Sequence, residues 1–154
     1  PDSIDIIDAQ CYLTTEEFQR VLAESVYNPT KLRLSQRIKR YQNDRNIAIF
    51  AAIYDSKICG VLVANIACTH IVILDIAVIS ALQRNGIGKS LIKHLMMEYK
   101  PSEIYAQTDD DAVEFYARLG FEIHEIELEK NKTRRRYHCT YLCNYFVTEE
   151  KCLE

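Results

Sequence analysis

Residues 82–91 read LQRNGIGKSL and set Gly86 and Gly88, two of the chain's four glycines, beside Lys89 and Ser90. Such a cluster points to anion chemistry, because backbone N–H groups approach an anionic oxygen most closely where no Cβ intervenes. Two nucleotide-binding patterns each fail by one residue. The loop G-x-x-x-x-G-K-[ST] requires glycine where Gln83 stands, and the fingerprint G-x-G-x-x-G requires one where Leu91 stands. Their shared physical element survives: a glycine turn feeding a helix whose first N–H groups have no partner within the helix.

Asp75 is a second candidate. It is the only acid in the apolar run HIVILDIAVI, and a carboxylate there needs a role: contact with a substrate amine through water, pairing with an arginine, or capping. Strand alternation groups it with Ile73 and Ala77. His70, His94, His124 and His138 show neither metal spacing nor a partner motif, and read as surface or core residues. The six cysteines (Cys11, Cys59, Cys68, Cys139, Cys143, Cys152) include no C-x-x-C pair and read as buried thiols rather than metal ligands or disulfides.

The elements that must position these groups follow from periodicity. TTEEFQRVLAESVY predicts an amphipathic helix capped by Thr14 or Thr15, with Phe18, Val21, Leu22 and Val26 on one face. KLRLSQRIKRYQ predicts a second, shorter helix with Leu34, Ile38 and Tyr41 on its apolar side. NIAIFAAIYD, KICGVLVANI and HIVILDIAVI read as three consecutive antiparallel strands. From Gly88 the period becomes helical through Leu91, Ile92, Leu95, Met96 and Tyr99, and stops before Pro101. SEIYAQT is then a strand, DDDAVEFYARLG a helix ended by Gly120, and FEIHEIELEK and RYHCTYLCNYF two strands around the polar loop EKNKTRRR. The predicted order is ααβββαβαββ, an α/β (α+β) fold in which helices pack on a mixed sheet.

A chain of 154 residues fits one domain, here 1–154, with a single large core. Its 48% hydrophobic content and net charge of −3 exclude disorder and argue against nucleic acid as a partner. The segment PDSIDIIDAQ is acidic, and no apolar run approaches the roughly 18 residues of a membrane span, so no membrane association and a cytoplasmic location are expected. The sequence is compatible with a homodimer.

Two motifs together resemble the GCN5-related N-acetyltransferase (GNAT) superfamily. QRNGIG after an apolar strand resembles its [QR]-x-x-G-x-[GA] pyrophosphate loop, and AVEFYARLGFE resembles its helix-to-strand segment. The element order matches that fold across nearly the whole chain, with its mostly antiparallel sheet flanked by helices. The resemblance implies acetyl-coenzyme A (acetyl-CoA) as co-substrate, with no metal. It implies that Gln83, Arg84, Asn85, Gly86, Ile87, Gly88, Lys89 and Ser90 wrap the pyrophosphate, chiefly through backbone amides. It further implies that the main chain of Ile76, Ala77 and Val78 pairs with pantetheine where this strand splays from the next.

In this family pattern Tyr116 occupies the motif tyrosine position, and a phenol of reference pKa about 10 is suited to protonating a leaving thiolate. A packing role is the alternative. The N–H near Val78 is the family-like donor to the thioester carbonyl, and Asp75 is a candidate base. One departure stands out: the superfamily often has asparagine where this chain has Asp109, which is expected to cap its helix instead. The implied activity is transfer of an acetyl group to a primary amine of a small molecule or peptide. The alternative is a non-catalytic coenzyme A binding or sensing domain. Residues 28–37 and 130–136 are the segments expected near the acceptor.

Overall fold

Two threonines open the helices on one side of the sheet. Thr15 Oγ1 accepts the Phe18 N–H at 3.3 Å at the start of α1 (Glu16–Leu22), and Thr30 Oγ1 accepts the Arg33 N–H at 3.2 Å at the start of α2 (Lys31–Gln42). The computed structural model describes residues 3–26, 28–126 and 135–145. Contrary to expectation, α2 is the longer of the two helices, and its buried side chains are Ile38 and Tyr41. A 3₁₀ turn, Ala23–Ser25, extends α1.

The strands are β1 (Asp5–Asp8), β2 (Ile47–Tyr54), β3 (Lys57–Asn65), β4 (His70–Val78), β5 (Glu103–Asp109), β6 (Glu122–Ile126) and β7 (Arg136–Leu142). They form one seven-stranded sheet in the order β1-β2-β3-β4-β5-β7-β6, antiparallel throughout except between β4 and β5. β1 was not foreseen. Its sequence, DIID, is short and acid-flanked, as suits a strand at an exposed sheet edge, so periodicity cannot distinguish it from a polar leader. The ends of the two last predicted strands, and most of the loop between them, lie outside the described residues.

α3 (Ile87–Tyr99) and α4 (Val113–Arg118) pack on the opposite face from α1 and α2. One core joins Leu91 and Leu95 of α3 and Tyr116 of α4 to Leu62, Ile71, Ile73, Ile104, Ala106 and Cys139 of the sheet. The other joins Phe18, Val21 and Leu22 of α1 and Ile38 and Tyr41 of α2 to Ile49, Val61, Val63 and Ala77. Each fully buried Leu, Ile or Phe side chain contributes about 1.5–3 kcal/mol. No described helix is long and apolar enough to cross a membrane.

All five described cysteines are free thiols; Cys152 lies outside the described residues. Cys11 and Cys68 are exposed, whereas Cys59 and Cys139 are buried, and burial pushes the Cys139 thiol up to about 11. Titration of the native protein with an aromatic disulfide should therefore label Cys11 and Cys68 rapidly. Cys59 and Cys139 should react only after unfolding. Equal rates at all four would contradict the packing described.

Candidate active site

A β-bulge creates the central feature of the site. β3 pairs Val63 with Asp75 and Ala64 with Ile73, which leaves Leu74 as the extra residue on β4. β4 and β5 pair in parallel only as far as Ile73 and Ala106. Beyond that point β4 stays with β3 up to Val78, and β5 stays with β7 up to Asp109. The sheet thus splits into two arms, and the backbone of Leu74, Asp75, Ile76, Ala77 and Val78 has no strand partner on the β5 side. Such an edge can accept an extended ligand by strand addition.

The bulge also reverses side-chain direction. Ile71 and Ile73 point into the α3/α4 core, but Ala77 points into the α1/α2 core, and Ile76 and Val78 take the α3/α4 side. Asp75 therefore does not share a face with Ile73, as simple alternation predicts. It faces α1 and α2. Its side chain is 2% exposed, and Oδ1 lies 2.8 Å from Arg37 Nη1 and 2.9 Å from Ser25 Oγ. Ser25 divides its single proton between this oxygen and the Leu22 carbonyl at 2.8 Å, while the Tyr41 hydroxyl donates to Oδ2. Arg37 Nε is buried without a hydrogen-bond partner among the described residues. The carboxylate ties two helices to the free arm of β4.

The loop after β4 is shaped by its own side-chain amides. Gln83 Nε2 donates to the Val78 carbonyl at 3.0 Å, and Asn85 Nδ2 donates to the Leu82 and Gln83 carbonyls at 3.0 and 3.2 Å. Those contacts occupy the loop's acceptors. The N–H groups of Arg84, Asn85, Gly86, Ile87, Gly88 and Lys89 make no backbone hydrogen bond among the described residues, and no side chain caps α3. Gly86 is the N-cap at φ 77°, and Arg84 is also left-handed at φ 67°. Ser90 closes the first helical bond to the Gly86 carbonyl, and its hydroxyl donates there too. The result is an uncapped helix start with a concave set of donors, a ready anion site.

Gly88 serves a further purpose that the sequence did not reveal. A Cβ there would stand 2.7 Å from the Phe115 ring, so its absence lets α4 pack against the start of α3. Phe115 in turn holds Tyr116 at 5.1 Å in an edge-to-face pair, and Phe121 holds it from another side at 5.2 Å. The Tyr116 hydroxyl makes no hydrogen bond among the described residues. Burial raises its pKa well above the ordinary tyrosine value, with smaller contributions from Cys139 on β7 and Asp75 on β4. Those two neighbours lie on opposite arms of the split sheet. Asp109 does not cap α4: its Oδ1 accepts the Asp111 N–H at 3.0 Å, and Ala112 is the N-cap.

Tyr41 is raised in the same direction, by burial first and then by Asp75. A phenol whose folded pKa exceeds its unfolded value stabilises the fold fully below about pH 10. As pH rises further, only the unfolded chain releases the proton, and stability falls. Melting temperature should begin to fall above about pH 8.5, where the buried thiols Cys59 and Cys139 ionise only in the unfolded chain, and fall more steeply above about 10 as the tyrosines join, with a shallower drop in that upper range for Tyr116→Phe. Equal slopes for the two proteins would remove Tyr116 from this effect.

Among the described residues no group of three or more His, Cys, Asp or Glu side chains is placed to hold a metal ion. The family model for the acetyltransferase (GNAT) domain matches residues 13–135. None of the curated proteins matches the chain in sequence. Among solved structures, an aminoglycoside 6'-N-acetyltransferase complexed with coenzyme A superposes with TM-score 0.74 at 17% identity, covering 91% of this chain and 96% of that one. IAA acetyltransferase from Bacillus cereus ATCC 14579 gives 0.67 at 19%, covering 92% and 100%. The ribosomal-protein-S18-alanine N-acetyltransferase from Escherichia coli gives 0.68 at 14%, covering 91% and 94%. The chain belongs to the GNAT acetyltransferase family, whose members are acyl-coenzyme A dependent N-acetyltransferases.

The structure thus places Ile76, Ala77 and Val78 on the free arm of β4, the loop from Gln83 to Ser90 after the end of that arm, and Tyr116 in the core on the α3/α4 face of the sheet. Of the segments expected near the acceptor, residues 28–37 include Arg37, while 130–134 lie outside the described residues.

Proposed function

We propose that the chain transfers the acetyl group of acetyl-CoA to a primary amine of a small molecule or peptide by direct attack, with Tyr116 as general acid. The observation that carries this reading is the parted β4 and β5, with an uncapped α3 start beyond the end of the free β4 arm and the Tyr116 phenol below it. In this reading the amides of residues 84–89 hold the pyrophosphate, and the free edge of Ile76, Ala77 and Val78 pairs with the pantetheine amides. A main-chain N–H near Val78 polarises the thioester carbonyl. Tyr116 gives its proton to the departing sulfur. Asp75, already engaged by Arg37, Tyr41 and Ser25, positions α2 against β4 rather than taking the amine proton.

The similar structures are named for acceptors as unlike as an aminoglycoside and an alanine of a ribosomal protein, so the acceptor is set by residues around the split rather than by the fold. Calorimetric titration with acetyl-CoA and ATP, followed by thiol release with a polyamine, an aminoglycoside, an amino acid and an alanine-initiated peptide, tests the proposal. Acetyl-CoA should bind, ATP should not, and at least one amine should release thiol. Binding without thiol release to any amine would instead identify a coenzyme A sensing domain.

A further inference from the structure

The face of the sheet that α1 and α2 cover over β2, β3 and β4 continues uncovered, among the described residues, across β5, β7 and β6. Ile104, Ala106 and Cys139 point into the α3/α4 core, so their alternates Tyr105, Gln107 and His138 stand on this open face. His138 is paired in register with Gln107, the first residue of β5 beyond the last pairing with β4. β7 thus runs one strand spacing, about 4.8 Å, from the arm of β5 that borders the split. Tyr116 lies on the other face of the same sheet. An amine arriving over His138 would meet a thioester seated in the split from one side while Tyr116 waits on the other.

We propose that His138 is the base of the reaction, its Nε2 taking the proton that the acceptor ammonium must lose before attack; this rests on the acetyltransferase reading above. The ring is oriented by an edge-to-face contact with Tyr105 at 5.3 Å, and Nε2 lies 3.5 Å from Gln107 Nε2, a long contact that an incoming ammonium can replace. Gln107 Nε2 also lies 3.1 Å from the Tyr105 hydroxyl, which it serves as donor. The other titratable or charged groups on this face are Glu103 and Asp109 on β5, Arg136 on β7, and Glu122 and His124 on β6. Glu103 pairs with His70 at 3.1 Å and Glu122 with His124 at 3.1 Å. Asp75 is held by Arg37 and Tyr41. His138 is left as the imidazole on this face without a carboxylate partner in these pairs.

The protons balance as follows. His138 takes one proton from the ammonium, the freed lone pair forms the C–N bond, and the C–S bond breaks with its electron pair on sulfur. Sulfur takes the Tyr116 proton, the second nitrogen proton restores the phenol through water, and His138 returns its proton to solvent. One proton is released per turnover.

The test compares two nucleophiles in His138→Gln: the amine of the panel above that is turned over fastest, an ammonium at neutral pH, and hydroxylamine, which is uncharged there and needs no base before attack. The variant should lose about 10²-fold in kcat/KM with the ammonium, within the usual range for a removed base. Its rate with hydroxylamine, acetyl-CoA affinity and melting temperature should stay within threefold, threefold and a few degrees of wild type, and the acidic limb of its pH profile with the ammonium should shift or vanish. His124→Gln, at the paired position on β6, should behave as wild type. Loss on both nucleophiles alike, or none on either, would overturn the assignment. If even Gln in place of His138 destabilised the sheet, His138→Asn with added imidazole should regain ammonium activity, and failure to do so would also overturn it. A wild-type protein that binds acetyl-CoA but releases no thiol to any nucleophile would overturn the transferase reading itself, and this inference with it.

Discussion

Replacing Tyr116 with phenylalanine is expected to lower kcat by about 10²- to 10⁴-fold, or roughly 3 to 5 kcal/mol of transition-state stabilisation. The substitution isolates the hydroxyl. The ring keeps its edge-to-face contacts with Phe115 and Phe121 at 5.1 and 5.2 Å, and the lost hydroxyl has no hydrogen-bond partner among the described residues, so no buried group is orphaned. Melting temperature below about pH 9 should accordingly be unchanged or slightly higher. Acetyl-CoA affinity should also hold, because proton donation to sulfur matters only as the C–S bond breaks. With the phenol raised above its ordinary value, the wild-type acid stays protonated through the neutral and mildly alkaline range, and Tyr116 should impose no alkaline fall in rate there. The comparison needs an acceptor for which chemistry limits turnover, since slow product release would mask a missing acid. A variant within threefold of wild type under those conditions would leave Tyr116 a packing residue. Weaker cofactor binding at normal kcat would assign its hydroxyl to ground-state contact with the sulfur.

What the sequence disclosed of this site depended on how far apart its parts lie in the chain. The anion loop was legible because its determinants are contiguous: Gly86 supplies the left-handed cap, and Gln83 and Asn85 tie back to carbonyls within five residues. The helices were legible from their apolar faces and, for α1, from a threonine cap, whereas the Thr30 cap of α2 was not read. The side on which Asp75 emerges was not, because a single unpaired residue, Leu74, reverses the alternation, and nothing in the run HIVILDIAVI marks it. Nor was the carboxylate's company, since Arg37 and Tyr41 precede it by 38 and 34 positions and meet it only once α2 lies on β4. His138 is a similar case. It read as a surface or core residue, and only the β5–β7 register sets it beside Gln107 at the mouth of the split. Local motifs therefore marked out the uncapped glycine loop proposed to hold the donor, whereas the side proposed for the acceptor is written in strand register.

That division makes Gly86 the sharpest point at which to test the donor site. Gly86→Glu should weaken acetyl-CoA binding by at least 100-fold, about 2.7 kcal/mol, while leaving the fold in place. A Cβ at Gly86 meets nothing within 4 Å, so the side chain has room, and the cost to the fold is the left-handed backbone, about 1–2 kcal/mol. Arg84 at φ 67° shows that this loop already holds a residue with a side chain in that conformation. A carboxylate beside an uncapped helix start is itself favourable by about 0.3–1 kcal/mol, which offsets part of the strain. The same carboxylate competes with a pyrophosphate for the same N–H groups and repels it. Gly86→Ala separates the causes, since it brings the strain without the charge and should weaken binding less than tenfold. If Ala were as damaging as Glu, the backbone conformation would be the requirement rather than the charge. Raising the salt concentration should narrow the gap between the two variants, because screening acts on the repulsion and not on the strain. Calorimetry with acetyl-CoA at two ionic strengths, with melting curves for each protein, decides the matter: Glu at wild-type affinity with an unchanged melt means the pyrophosphate is bound elsewhere.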